Sequence, residues 1–148
     1  MSAETVLERD VNDEDALRQL VRLTVDKVCD QLRLQGLMAR RVAVQLTYTD
    51  NRRARRSAVM PASTDAFDAL AAAALGLFAE LHLRRVALKA IEVVAMRPGR
   101  DSGQLDLFVG DGERRQRSLG RAVTDIRRRM GFGAVLAATE MGVGGMVR

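Results

Sequence analysis

Three scarcities narrow what this chain can do. It has a single cysteine, Cys29, so no disulfide forms within it, and a reduced intracellular setting follows. It has a single histidine, His82, far from Cys29 in sequence, and no acid–base partner is evident for the thiol. Cys29 falls among the apolar positions of a helical pattern and reads as a core thiol rather than a nucleophile. Aromatic residues are only 3% of the chain, so an interior drawn from its 47% apolar residues must be mostly Leu, Val and Ala. No apolar run is long enough to cross a bilayer, and the start MSAETV has neither the basic nor the apolar region that export needs. We therefore expect a cytoplasmic protein with no membrane partner.

Catalytic constellations are missing as well. Phosphoryl transfer needs clustered carboxylates holding metal ions. The acids here gather at helix starts (Asp13, Glu14, Asp15, Asp65, Asp68), where capping and the helix dipole account for them. No Gly-rich phosphate loop, metal-ligand cluster or Ser/His/Asp set appears. The chain alone is expected to be non-catalytic, with no cofactor of its own.

What is abundant is arginine, in blocks. Residues 1–35 carry eight acids against five bases, residues 40–60 six Arg against one Asp, and residues 113–130 seven Arg against two acids. Two basic blocks beside an acidic one suggest a face aimed at polyanions.

Periodicity sets the elements. Residues 3–9 form a short strand. Asn12 or Asp13 caps a helix over 13–35, with Leu17, Leu20, Val21, Thr24, Val28 and Leu32 on one stripe and Gly36 ending it. RRVAVQLTYTD alternates strictly, with Val42, Val44, Leu46 and Tyr48 on one side and Arg41, Ala43, Gln45, Thr47 and Thr49 on the other. A polar turn leads into ARRSAVM, a second strand that Pro61 stops. Ser63 or Thr64 caps a helix with Phe67, Leu70, Ala71, Ala74, Phe78 and Leu81 buried. A last strand runs through RRVALKAIEVVAM, with Val86, Leu88 and Ala90 facing one way and Arg85, Ala87, Lys89 and Ile91 the other.

The order β-α-β-β-α-β predicts an α+β domain over 1–98. It is a four-stranded, mainly antiparallel sheet with two helices on one face, a ferredoxin-like variant built from two split βαβ units. The other sheet face is expected to be open and basic: Arg41, Gln45, Thr47, Arg85, Lys89 and Arg55 or Arg56 with Ser57, almost without acids. Residues 99–112 read as a flexible linker holding QLDLF. Residues 113–148 read as a basic helix followed by a loosely ordered end. In that helix Leu119, Ala122 or Val123, Ile126 and Met130 share a stripe, which we expect to dock while the arginines stay solvated.

The residues DALRQLVRLTVDKVCDQLRLQGLMARRVAVQLTYTD, RRSAVMP, the Ser/Thr-Asp helix and LRRVALKAIEVV, taken in order, resemble the little finger domain of Y-family translesion DNA polymerases. The likeness is greatest to the bacterial DNA polymerase IV-like branch and covers about residues 3–138. It implies a sequence-independent grip on duplex primer–template DNA through phosphates, with Arg41, Arg55, Arg56, Ser57, Arg84, Arg85 and Lys89 as contacts. It also makes QLDLF similar to the bacterial sliding-clamp-binding pentapeptide. Leu107 and Phe108 would fill the main pocket and Leu105 a smaller one, with Gln104 bonding at the rim and Asp106 between. The palm, fingers and thumb of such a polymerase, with their Mg, would lie outside this chain and be further partners. Two features depart from the family pattern: Ala87 stands where relatives have Gly, and about forty residues follow the pentapeptide.

Other readings stay open on sequence. A catalytically inactive polymerase-like adaptor in damage-induced mutagenesis would carry the same domain. An RNA-binding module of this strand order would need aromatics on its open face. A ferredoxin-like small-ligand or regulatory domain would not call for the arginine bias or QLDLF.

Overall fold

The computed structural model describes residues 1–11, 13–83, 85–97 and 111–134. Its elements are β1 (Ser2–Val11), α1 (Glu14–Leu34), β2 (Ala39–Tyr48), β3 (Arg53–Thr64), α2 (Phe67–Leu81), β4 (Leu88–Met96) and α3 (Asp111–Met130), followed by one 3-10 turn at Phe132–Ala134. The α+β expectation holds, and every strand pair is antiparallel in the order β1-β4-β2-β3. Each helical crossover therefore joins two parallel strands with one strand between them, which is the split βαβ unit used twice.

Local chemistry sets the boundaries of α1. Asp13 caps it, its side chain accepting from the Asp15 N–H at 3.2 Å. At the far end Gly36 takes φ +64°, and the Leu37 and Gly36 N–H groups return to the Leu32 and Arg33 carbonyls. That double bond is a Schellman stop, and it needs a residue at ease with positive φ.

Helices α1 and α2 cover one sheet face and bury the expected rows: Leu17, Leu20, Val21 and Leu32 from α1, Leu70, Ala74 and Phe78 from α2, and Val42, Val44, Leu46 and Tyr48 from β2. Cys29 lies in this core and burial pushes its thiol up to about 12, as a packed thiol should be. A buried hydroxyl pair, Thr24 to Thr5 at 2.7 Å, ties α1 to β1.

Several expectations change. β1 begins at Ser2 and extends to Val11. β3 continues through Pro61 to Thr64: it is an edge strand, and Pro61 falls in a register shift between the pairs Arg41–Val59 and Ala39–Thr64, where the regular ladder is interrupted. The cap residue of α2 is Ala66, while Thr64 accepts the Ala66 N–H at 3.0 Å one step earlier. β4 starts only at Leu88, and a register shift leaves Lys89 as the extra residue between the pairs Thr47–Ala90 and Tyr48–Leu88. Such a bulge reverses the alternation, so Ile91 points into the core and Ala90 onto the open face.

The largest change concerns α3. It docks on α1, but through Gly120, Thr124 and Arg127. The apolar stripe is left outside: Leu119 is 67% exposed, Ile126 43% and Met130 76%. Arg127 is instead the buried residue. Its Nη2 donates to Asp26 Oδ2 at 2.7 Å and its Nη1 to Asp30 Oδ2 at 2.9 Å. Thr124 Oγ1 donates to Asp30 Oδ1 at 2.7 Å, and the Phe132 ring lies over the guanidinium, 4.3 Å to its centroid.

Candidate nucleic-acid interface

Register decides which side chains share the open face. Residues opposite one another in antiparallel strands point the same way. From β3 to β1, the rows are Arg53, Thr47 and Ala90 with Val6, then Arg55, Gln45, Glu92 and Glu4, then Ser57, Ala43, Val94 and Ser2, then Val59, Arg41 and Met96. Arg41, Arg53 and Arg55 are exposed, and so is Ser57. From Arg41 to the level of Arg53 the basic strip runs six β2 residues, about 20 Å at 3.4 Å per residue.

The predicted contacts do not all meet. Arg41, Arg55 and Ser57 share the strip. Arg56 pairs with Val44 in register and so sits on the helix side of edge strand β3, where its Nη1 meets Glu80 Oε2 of α2 at 2.8 Å. Lys89 is exposed in the β4 bulge, and Arg85 is exposed in the bend ahead of β4, near the Arg53 end of the sheet. Arg84 and the pentapeptide Gln104, Leu105, Asp106, Leu107 and Phe108 lie outside the described residues. Arg53 was missed, although its signal was available: Arg53, Arg55 and Ser57 follow the same two-residue alternation.

The face is not free of acids. Because β1 pairs with β4, Glu4 stands directly opposite Glu92, and the Gln45 amide donates to Glu92 Oε2 at 3.3 Å. Like charges opposed across a ladder repel; the Gln45 bond takes up part of one carboxylate. The open face is thus divided, with guanidinium groups on β2 and β3 and carboxylates on β4 and β1. Among the described residues no three His, Cys, Asp or Glu side chains gather as metal ligands would. No described helix is long and apolar enough to cross a membrane.

Residues 1–107 match the family model of the impB/mucB/samB C-terminal domain. The chain belongs to that family. The expectation of a Y-family little finger domain is thereby borne out. Among solved structures, the domain is similar to the little finger of PolIV in a complex with the beta-clamp processivity factor, at 16% identity and TM-score 0.54, covering 73% of this chain and 97% of that one. It is also similar to DinB from Sulfolobus solfataricus, at 10% identity and TM-score 0.51, covering 65% of this chain and 28% of that one. The little finger thus spans under a third of the DinB chain. Likeness at such identities concerns the fold. Among curated proteins, none matches this sequence.

Proposed function

We propose that this chain is the non-catalytic domain with which a translesion DNA polymerase grips duplex DNA, and that Gln104–Phe108 tethers it to the sliding clamp. The observation that carries the grip is the strip of Arg41, Arg53 and Arg55 on the uncovered sheet face. Guanidinium groups that pair with phosphate oxygens carry no sequence information, so a strip used in this way binds any sequence. A bypass enzyme that must accept damaged templates needs that indifference. The carboxylate half of the face keeps the phosphate track on β2 and β3. Support for the tether is the pentapeptide itself and the clamp complex of the similar PolIV domain. The polymerase's nucleotidyl transfer, and the Mg it uses, belong to parts outside this chain.

The grip is tested by titrating salt against a fluorescent duplex. Each phosphate contact contributes a slope of about −0.9 in log K against log salt. Replacing Arg41, Arg53 and Arg55 together by Gln should flatten the slope by about 2.7 on that scale. An unchanged slope would reject the strip. The tether is tested by pull-down with a bacterial sliding clamp, comparing the native chain with Leu107→Ala/Phe108→Ala. Equal recovery would reject it.

A further inference from the structure

The charge pattern of the open face fixes how many DNA backbones it can hold, an inference that rests on the proposed grip. The arginines of its rows, Arg41, Arg53 and Arg55, all stand on the neighbouring strands β2 and β3. Among the described residues none of the three has a carboxylate partner. In the same rows β4 and β1 present Glu92 and Glu4 beside small or apolar side chains, and no cation. Lys89, the one cation of β4, stands in the bulge past the last row, at the Arg53 end. The Gln45 amide, 3.3 Å from Glu92 Oε2, keeps that carboxylate on the face.

Groove dimensions turn this division into a count of backbones. Neighbouring strands lie about 4.8 Å apart, so β4 and β1 run about 5 and about 10 Å beyond β2. A duplex leaves a gap of about 6 Å between its two backbones across the minor groove and about 12 Å across the major groove. With one backbone seated along β3 and β2, the second comes down over β4 and β1, beside Glu92 and Glu4, or passes beyond the β1 edge. Neither position offers it a cation from these rows. No aromatic ring stands in the rows for a base to stack on, so the seated strand is held by its phosphates. We infer that the sheet seats one backbone of a duplex, along β3 and β2, and makes no phosphate contact with the other. Glu4 and Glu92 act as a fence: a duplex sliding sideways toward β1 brings phosphates over carboxylates and is turned back.

The probes are two labelled duplexes of one sequence, titrated with the full chain at several salt concentrations and read by fluorescence anisotropy. One duplex is natural DNA. In the other, one strand has an uncharged methylphosphonate backbone, so the shape stays while half the phosphate charge goes. Arg41→Gln, Arg53→Gln and Arg55→Gln are measured singly on both; their side chains are exposed, so the fold is untouched. Each variant should flatten the slope of log K against log salt by about 0.9 on the natural duplex and by about 0.7, the single-strand value, on the half-neutral one. A one-backbone seat loses the same contact from either probe. An arginine whose replacement flattens the slope on the natural duplex and leaves it unchanged on the half-neutral one reaches the second backbone. That result overturns the inference and leaves the grip standing. Slopes unchanged on both duplexes for all three variants reject the grip itself, and the inference with it.

Discussion

Replacing Arg127 by Met should detach α3 from the domain without unfolding it. The guanidinium has 5% of its side chain exposed and is held by Asp26 and Asp30, with Phe132 against its face. Met fills much of the same volume but leaves two carboxylates buried beside each other with no cation. Breaking one partner of a buried ion pair costs about 3–5 kcal/mol. The loss of the ring contact adds about 1 kcal/mol. The helix has an escape, because its chief partner in the body is α1. Undocking returns Asp26 and Asp30 to water, so the cost to the whole fold is capped at the docking free energy of α3. A penalty of 3 kcal/mol shifts docking by roughly a hundredfold. Amide exchange read by mass spectrometry on α3 peptides should then accelerate by about that factor, while peptides from β2 and β4 keep their native protection. Replacing the whole set by apolar residues (Asp26→Leu/Asp30→Leu/Arg127→Met) should restore protection, since an apolar substitute for a buried ion cluster is commonly neutral or better. Native-like exchange of α3 in Arg127→Met would show that the ion pairs do not hold the helix, and the account of the docking would be wrong. Burial alone would lower the Arg127 pKa, but the bonds to Asp26 and Asp30 outweigh it and hold it above its usual value. The guanidinium stays charged in both states across the working pH range, so this latch adds no pH dependence through arginine.

Other outcomes follow from single contacts. Cys29 has its pKa raised by burial to about 12 in the fold against 9.0 for a free thiol; the native state keeps its proton while the unfolded chain loses it. Stability should therefore be intact below pH 9 and decline as pH rises from about 9 toward about 12, measured by denaturant titration at several pH values; a thiol reagent at pH 8 should label Cys29 only as fast as the core opens. At Gly120 an added Cβ would lie 2.5 Å from Arg33 Cζ. Gly120→Ala should displace that side chain and its bond to the Asp65 carbonyl, a loss of about 1 kcal/mol that the helix propensity of Ala nearly offsets. Gly120→Leu has no such offset in space and should release α3 in the same exchange assay. Arg55→Gln should reduce the salt slope of duplex binding by about 0.9. Arg56→Gln, on the helix side and paired with Glu80, should leave it nearly unchanged.

Much of the fold was legible because its signals are local. The cap at Asp13, the stop at Gly36 and the strict alternation of β2 each depend on neighbours within a few residues, and each stands where the pattern placed it. The misses share a cause: they depend on which distant segments meet. Glu4 became part of the open face only because β1 pairs with β4. The bulge at Lys89 is a property of the β2–β4 ladder, not of the β4 sequence, and it moved Ile91 from one face to the other. The apolar period of α3 correctly marked a stripe, but periodicity does not say whether a stripe is buried. The contact that buries the neighbouring side joins residues 97 and 101 positions apart, Asp30 and Asp26 with Arg127. The hint was a pair of acids four residues apart, Asp26 and Asp30, and so on one side of α1. For the site, the β2–β3 arginines were readable one alternation at a time; that alternation sets Arg56 opposite Arg55 and Ser57, and the register with Val44 places it on the helix side.

The division of the sheet face has an electrical consequence. With guanidinium groups along β3 and β2 and glutamates along β4 and β1, the surface carries a lateral dipole, and a rod of negative charge arriving from solution feels a torque as well as a pull. Such a rod swings into line with the strand direction of β3 before any atom touches. Removing Glu4 and Glu92 would strengthen the attraction yet blunt the steering, leaving a stickier surface with a poorer sense of direction.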